Sequence, residues 1–208
     1  EKEFQMQIGV NDVRQHFINE LESEAFTIDK TGQKTIEMLG ASFVANESSI
    51  FGTPNQEYID REIDWYLSGS TNINDIYDGE INSNYGHLIF DYKYYNQYDS
   101  VLDELTFNKD SRRASMIYQR PSIWSEYREN DKNDFICTNA VTYYIRNDTL
   151  HSVVQMRSND VVYGYKNDYA WQSYVLAQLS KDLKVPVGDI VWQVQNLHVY
   201  ERHFDLVK

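Results

Sequence analysis

The sequence contains very little cysteine and no long apolar run. One cysteine among 208 residues excludes an internal disulfide framework and a zinc site built from cysteines. No apolar stretch approaches the roughly 20 residues that span a bilayer, and the start, Glu1 to Ile8, lacks the apolar core of a signal peptide. We therefore expect a cytoplasmic protein with no membrane partner.

Basic residues are also scarce. The chain has 19 Lys and Arg against 32 Asp and Glu, which gives a formal net charge of −13. This balance disfavours direct nucleic-acid binding, whose affinity comes from a basic surface. A phosphorylated small molecule remains compatible with it, because a few clustered arginines form a cationic pocket even in an acidic protein.

Proline and glycine, the residues that mark linkers and turns, number only three and nine. They are spread along the chain, and no repeat or low-complexity tract divides it. Hydrophobic residues make up 41% of the sequence, which is enough for a packed core. We predict a single domain over residues 1–208.

One predicted helix carries a carboxylate in an unusual position. The helix is expected to open at Thr53-Pro54, a capping hydroxyl followed by proline, and to end at Gly69. Its apolar face consists of residues at helical spacing: Ile59, Ile63, Tyr66 and Leu67. Glu62 falls on or beside this face, where a carboxylate needs a partner or a function.

Strands dominate the second half of the chain. Phe135 to Arg146 and Leu150 to Arg157 flank an Asn147-Asp148 turn and predict a hairpin. A helix follows from about Asp168, and a last strand is expected around Ile190 to Val194. Because helices and strands interleave without a regular period, the predicted class is α+β.

Three polar features have both a chemical and a structural interpretation. Cys137, on the first strand of that hairpin, is either a small buried apolar residue or a nucleophile, which needs a neighbouring positive charge. Arg112-Arg113 and Arg157-Ser158 suit a phosphate through forked hydrogen bonds. Taken alone, ordinary surface arginines also explain either pair.

The remaining polar candidates have structural explanations of their own. Asp168 fits the N-cap of the helix predicted to follow it. His198 and Tyr200, one residue apart on an apparent strand, fit a buried polar pair. His198 and His203 have a spacing that suits a metal, but no carboxylate joins them, so we expect no metal site.

Taken together and in order, these motifs resemble the thymidylate synthase family: Ser111-Arg112-Arg113, Cys137, Arg157-Ser158-Asn159-Asp160 with Gly164, and His198-Val199-Tyr200. The resemblance runs from Asp29 to Asp205. It is closest to the branch that hydroxymethylates deoxycytidylate (dCMP) for phage DNA modification. It implies a mixed β-sheet packed with helices, with one sheet face forming the interface of a homodimer.

The resemblance implies catalytic roles for three residues. Cys137 corresponds to the nucleophile that attacks C6 of the pyrimidine, after which C5 takes a one-carbon unit from 5,10-methylenetetrahydrofolate. Asp168 stands where members acting on dUMP carry asparagine, and a carboxyl group suits the cytosine edge instead. Glu62 matches a glutamate that orders water near C4 and C5. It is expected to position or deprotonate the added water, with a raised pKa.

The resemblance also places the phosphate. Arg157 is expected to bind it from the same subunit, and Arg112-Arg113 from the partner subunit of the dimer. Lys30 occupies the position of the family's fourth arginine, which keeps the charge but loses the forked geometry. Ser158 is expected to touch the same phosphate.

Sugar and folate contacts follow in the same way. His198 and Tyr200 are expected to contact the sugar hydroxyl. Tyr85, Asp160 and Gly164 match the folate region of the family. Asp160 also lies near the pyrimidine ring, and Tyr85 belongs to a proton relay.

Two alternatives stay open from the sequence. One is an enzyme of the same family that methylates or hydroxymethylates dUMP or CMP. The other is a nucleotide-binding relative that has lost folate chemistry. It is suggested by a stretch at Asp78-Gly79 that is shorter than in the family and by an end at Lys208, before the family's C-terminal tail.

Overall fold

A computed structural model of the chain describes residues 8–70, 84–129 and 134–208, so the stretch at Asp78-Gly79 lies outside the described residues. No helix within these ranges is long and apolar enough to cross a bilayer. The described elements are, in chain order, α1 (Val10–Glu22), β1 (Thr27–Ile28), β2 (Lys34–Val44), α2 (Gln56–Ser68), α3 (Tyr85–Phe90), α4 (Gln97–Phe107), β3 (Ser115–Ile117), α5 (Ile123–Glu126), β4 (Thr138–Arg146), β5 (Thr149–Asp160), α6 (Gly164–Leu183) and β6 (Val187–Tyr200), with 3₁₀ helices at Tyr92–Tyr94 and Glu201–Leu206.

The described strands form one sheet in the order β1-β2-β6-β5-β4-β3. β5 and β6 run parallel, and the other neighbouring pairs are antiparallel. Parallel neighbours need a crossover connection, which α6 supplies by packing against both strands. The mixed sheet with packed helices confirms the predicted α+β class.

The core lies between the helices and one face of this sheet. β6 contributes Ile190, Trp192 and Val194 to the core, and the crossover helix contributes Trp171 and Leu176, all at most 6% exposed. The opposite face is exposed in places. Leu39 there is 74% exposed, and the side chains around it are largely polar.

The predicted hairpin of β4 and β5 is confirmed. Asn147 and Asp148 have φ values of 53° and 56°, as a two-residue turn of type I′ requires. The expectation that Cys137 lies on the first strand is wrong by one residue, because the regular ladder starts at Thr138 and shifts its register before Ala140.

Helix α2 begins later than the sequence indicates. Asn55 caps it by accepting a hydrogen bond from the Tyr58 amide at 3.1 Å, so Thr53-Pro54 precedes the helix instead of opening it. Gly69 ends it in a left-handed conformation, as predicted. The buried face differs as well: Leu67 is 45% exposed, whereas Glu62 is only 3% exposed.

Helix α6 begins at Gly164, four residues before Asp168. The N-cap residue is Tyr163, and the carboxylate of Asp160 lies at the helix start, where its Oδ2 accepts from the amides of Tyr163 at 2.8 Å and Gly164 at 3.3 Å. The structural explanation of Asp168 as an N-cap is therefore wrong. Its side chain accepts a hydrogen bond from the Asn159 side chain instead.

Candidate active site

The thiol and the arginine of β5 meet where β4 begins. The Arg157 amide donates to the Cys137 carbonyl at 2.7 Å, which fixes the two residues side by side. The Arg157 guanidinium donates to the Phe135 carbonyl at 2.9 Å and lies 3.6 Å from the Cys137 Sγ. Cys137 thus has the neighbouring positive charge that a nucleophilic thiol requires.

Burial nevertheless dominates the protonation of this thiol. It raises the pKa of Cys137 to about 11, and the nearby Asp168 adds to the effect, while the positive charge of Arg157 opposes it. The thiol is therefore protonated at neutral pH in the free protein. A nucleophilic role requires that the proton leave during the reaction.

We expect this pKa to control alkylation of the free protein by iodoacetamide. Because the thiolate is the reactive form, the rate should rise about tenfold per pH unit through the neutral range, with no plateau until the pKa of about 11. Cys137 is the chain's only cysteine, so total labelling reports on it alone. The unfolded chain is the control and should level off near pH 8.5. A plateau at that pH in the folded protein would contradict the account.

One carboxyl group lies close to the thiol, and a second lies close to the first. Asp168 is half-buried, and its Oδ2 accepts from the Asn159 side-chain amide at 2.9 Å. Burial raises the pKa of Asp168 well above its usual value, and the buried Glu62 raises it further. Asp168 thus lies within electrostatic reach of Cys137 on one side and of Glu62 on the other.

A cleft of about 480 Å³ opens beside Arg157 and Ser158. Its other wall is formed by β2 and the end of β6, including His198 and Tyr200. Their rings lie 4.9 Å apart, edge to face. Four predicted phosphate and sugar ligands thus line one cleft.

His198 is held neutral in this cleft. Burial lowers its pKa, and its Nδ1 lies 3.3 Å from the Asn196 carbonyl oxygen. A carbonyl only accepts, so Nδ1 carries the hydrogen in that contact and Nε2 is left as an acceptor. Such a ring can receive a hydrogen bond from a hydroxyl group.

Tyr85 belongs to an aromatic stack beneath the thiol. Its ring lies 5.2 Å from that of Tyr118 and 5.3 Å from that of Tyr66, both stacked. Burial raises the pKa of Tyr85 well above its usual value, with further contributions from Asp168 and Cys137. Tyr85 therefore lies within electrostatic reach of Cys137 and Asp168 and stays protonated. Its role in a proton relay stays a prediction.

Asp160 and Gly164 lie together at the start of α6. A Cβ on Gly164 would come within 3.2 Å of the Asn159 side chain and 3.4 Å of Asp160. Glycine thus lets the helix approach the end of β5 closely. Through Asn159, this junction is also connected to Asp168.

The other three residues predicted to bind phosphate, Lys30, Arg112 and Arg113, do not line the cleft of this chain. Arg113 is 83% exposed at its side chain and pairs with Glu104 at 2.9 Å. It leads with Arg112 into β3, the edge strand, and neither residue lines the cleft. Lys30 is exposed in the turn before β2. Thr35, near the start of β2, does line the cleft.

Sequence reasoning missed two residues of the site. Asn159 was noted only as part of a motif, and Trp192 only as part of a strand. Both are buried, and they share a hydrogen bond of 3.3 Å. The available signal was that Asn159 stands directly before Asp160 in the Arg157–Asp160 motif. Within the described ranges, no group of His, Cys, Asp or Glu side chains is arranged to hold a metal ion.

Comparisons with known proteins agree with this arrangement. The family model for thymidylate synthase matches residues 19–208. The deoxycytidylate 5-hydroxymethyltransferases of Enterobacteria phages T4 and T2 are each 49% identical, over 95% of this chain and 89% of theirs. A putative thymidylate synthase of Methanocaldococcus jannaschii is 29% identical over 60% of this chain and 58% of its own. The chain belongs to the thymidylate synthase family of one-carbon transferases.

Proposed function

We propose that this protein hydroxymethylates dCMP: dCMP, water and 5,10-methylenetetrahydrofolate give 5-hydroxymethyl-dCMP and tetrahydrofolate. The observation that carries the proposal is the Cys137 thiol, 3.6 Å from the Arg157 guanidinium and close enough to Asp168 to respond to its charge. A nucleophile, a phosphate-binding cation and a carboxyl group suited to cytosine therefore share one site. The phage relatives named for this activity support it.

Cys137 forms the first bond of the reaction. Its proton leaves, the sulfur adds to C6 of the pyrimidine, and C5 becomes a carbanion equivalent. Arg157 stabilises the sulfur anion before attack and again when the thiolate departs. The folate supplies the one-carbon unit that C5 accepts. C5 then loses its proton as tetrahydrofolate leaves from the transferred carbon. Water adds to that exocyclic carbon, and departure of Cys137 as the thiolate restores the pyrimidine ring.

Asp168 selects the base in this proposal. Cytosine presents an amino donor at N4 and an acceptor at N3. A protonated carboxyl group offers one acceptor and one donor and so forms both bonds. Burial raises the pKa of Asp168 well above its usual value, which favours this protonated form.

Glu62 is the proposed partner of the attacking water. Its side chain is 3% exposed on α2 and lies within electrostatic reach of Asp168. A carboxylate there accepts the water proton as the oxygen adds to the exocyclic methylene carbon. A raised pKa of Glu62 itself stays a prediction.

Phosphate and sugar bind in the cleft. Arg157 and Ser158 hold the phosphate through charge-assisted hydrogen bonds. The free Nε2 of His198 accepts from the sugar hydroxyl, beside Tyr200. Lys30 adds a further positive charge from its turn.

Asp160, Gly164 and Tyr85 are the residues that line the folate site in this proposal. Asp160 uses its carboxylate to bind the amides at the start of α6 and keeps acceptor capacity for an N–H donor of the pterin ring. Gly164 lets the start of α6 lie close to Asn159 and Asp160, beside this carboxylate. Tyr85, protonated and close to Cys137, serves as the relay from the aromatic stack.

A homodimer completes the phosphate site in this proposal. The exposed sheet face carries Leu39 and a shallow depression lined by polar residues, including Gln155, Gln193 and Gln195. Covering this face with a second copy buries the apolar side chain of Leu39 and brings Arg112-Arg113 of one subunit towards the cleft of the other. The exposure of Arg113 in a single chain agrees with that role.

The experiment that tests the base assignment is Asp168→Asn. The amide donates to uracil O4 and accepts from N3–H but leaves one cytosine contact unmet, at about 1–3 kcal/mol. We expect the kcat/KM ratio of dCMP to dUMP to fall at least about tenfold, in favour of dUMP.

Asp182→Asn is the matched control for this variant. Asp182 lies on the same helix and accepts from the Tyr98 hydroxyl at 2.6 Å, away from the cleft. Its replacement should leave the ratio of dCMP to dUMP unchanged. An unchanged ratio in Asp168→Asn would remove Asp168 from base pairing. Wild-type turnover of dUMP or CMP in preference to dCMP would overturn the proposed substrate.

A further inference from the structure

The Arg157 side chain is held by the two residues that precede the thiol. Its Nη2 donates to the Phe135 carbonyl at 2.9 Å, and its Nε donates to the Ile136 carbonyl at 3.4 Å. The guanidinium carbon also lies over the Phe135 ring, 5.0 Å from its centre. Two carbonyl groups and one aromatic ring therefore fix the position of this cation.

These contacts divide the five N–H donors of the guanidinium group. Nε and Nη2 are used by the two carbonyl groups, and Nη2 also lies 3.6 Å from the Cys137 Sγ. Nη1 has no hydrogen-bond partner among the residues that the structure describes. One part of the group thus faces the thiol, and Nη1 remains for a ligand in the cleft that Arg157 lines.

The ring of Phe135 contributes more to this arrangement than apolar packing. The face of a phenyl ring carries partial negative charge and attracts a cation, most strongly where water is excluded. Phe135 is half-buried, so its face is partly shielded from water. An aliphatic side chain of similar size fills the same space without that charge. The two carbonyl contacts then compete with water for the guanidinium donors.

Two further aromatic residues keep the Phe135 ring in place. Trp124 of α5 packs against it edge to face at 5.0 Å, and Tyr127, directly after α5, does so at 5.4 Å. Trp124 is 70% exposed, whereas tryptophan is on average a highly buried residue. The contact with Phe135 gives this exposed indole a structural role. The short helix α5 therefore supports the ring that holds the cation.

We propose that Phe135 is a positioning residue for the reaction: its ring and carbonyl group hold the Arg157 guanidinium against the Cys137 thiol. Nη1 of the same group is left for the phosphate, so one fixed cation serves both the nucleophile and the substrate. Trp124 and Tyr127 support the ring. This inference rests on the proposed function, because it takes Cys137 as the nucleophile and Arg157 as the phosphate ligand.

The test is the rate at which iodoacetamide alkylates Cys137 in Phe135→Leu, without nucleotide and at one fixed pH below the plateau. Leucine keeps most of the apolar volume but removes the ring face, so the Arg157 guanidinium is held less firmly beside the thiol. A smaller fraction of the thiol is then ionised. We expect the rate to fall about fivefold relative to the wild type, in line with the strength of a partly desolvated cation–π contact.

The Arg157→Met background separates this effect from a change in access to the thiol. In that background the ring has no guanidinium group to hold. Looser packing or easier access changes the rate by the same factor with and without Arg157, whereas the proposed effect disappears with the cation. We expect Phe135→Leu to lower the rate about fivefold more with Arg157 present than in Arg157→Met. Equal factors in the two backgrounds overturn the inference.

Phe26→Leu is the matched control. Phe26 is also half-buried and also has a cation over its ring, because the Lys34 Nζ lies 4.9 Å from the ring centre. It packs against a further aromatic ring, that of Phe204, at 5.3 Å. Its cation is not the one beside the thiol, so the alkylation rate should match that of the wild type. An equal fall in Phe26→Leu would overturn the inference, because loss of any such ring would then suffice.

Trp124→Leu decides the question if Phe135→Leu fails to fold. The side chain of Trp124 is largely exposed, so we expect its replacement to cost little stability while it removes one support of the Phe135 ring. We expect the alkylation rate to fall about two- to threefold, and the fall to disappear in Arg157→Met. An unchanged rate in this folded variant overturns the inference. If Phe135 and Arg157 prove coupled but the wild type does not convert dCMP, the positioning stands and the proposed function is wrong.

Discussion

Replacing Cys137 with serine is expected to abolish turnover of dCMP while leaving nucleotide binding intact. The hydroxyl group is a far weaker nucleophile than a thiolate, so the addition to C6 is lost. Phosphate and sugar contacts in the cleft do not involve the sulfur. We expect kcat to fall by about 10³-fold or more, with a Kd for dCMP within a few-fold of the wild type.

Calorimetric titration with dCMP and a turnover assay measure the two quantities separately. Thermal unfolding of the variant serves as the control for folding, because Cys137 is partly buried. Product formation at close to the wild-type rate would rule out covalent catalysis. Loss of binding together with turnover would show that the thiol supports the cleft instead of the chemistry.

The second large effect concerns the subunit interface. We expect Arg112→Ala/Arg113→Ala and Cys137→Ser to be almost inactive separately and active when mixed. Losing a charged contact to phosphate costs about 2–5 kcal/mol, so the Arg112→Ala/Arg113→Ala variant alone should be almost inactive. In a mixed dimer, one site combines an intact Cys137 with both arginines of the partner, and the other site collects both defects.

Random exchange makes half of the dimers mixed, so the mixture should reach about a quarter of wild-type activity. Pull-down with a tag on one parent confirms that exchange has occurred. The matched control is a mixture of Cys137→Ser with Arg157→Ala, because both defects then lie in the same subunit's site and no intact site forms. If exchange is shown and the arginine mixture stays inactive, the phosphate site is built within one chain.

Local patterns predicted several elements correctly. The Asn147-Asp148 turn, the Gly69 helix end and the burial of Glu62 depend on neighbours within a few residues along the chain. Such features are set by backbone conformation and helical spacing, which the sequence displays directly. The order of motifs along the chain then identified the family.

The first residue of a helix was harder to predict from the sequence, because several residues could cap the same helix. Thr53-Pro54 looked like the opening of α2, but Asn55 provides the cap, two residues after Thr53. At α6 the carboxylate of Asp160 binds the first amides, whereas the sequence predicted a start near Asp168. Choosing among such residues depends on where the preceding strand ends, and that is decided by the sheet.

The chain from Trp192 through Asn159 to Asp168 lay beyond the sequence for another reason. It joins two strands and a helix, and it depends on the parallel pairing of β5 with β6. A periodic pattern shows that each residue is buried. It does not show which buried polar groups meet.

The most direct test of the central claim is the mass of the nucleotide formed from dCMP and methylenetetrahydrofolate in heavy-oxygen water. We expect a product heavier than dCMP by one CH₂O unit, with the heavy isotope in its new hydroxyl group, because in the proposed reaction that oxygen comes from a water positioned by Glu62. A product heavier by a CH₂ unit alone would indicate methylation with hydride transfer. That result, or unchanged dCMP from a protein that binds it, would contradict the account.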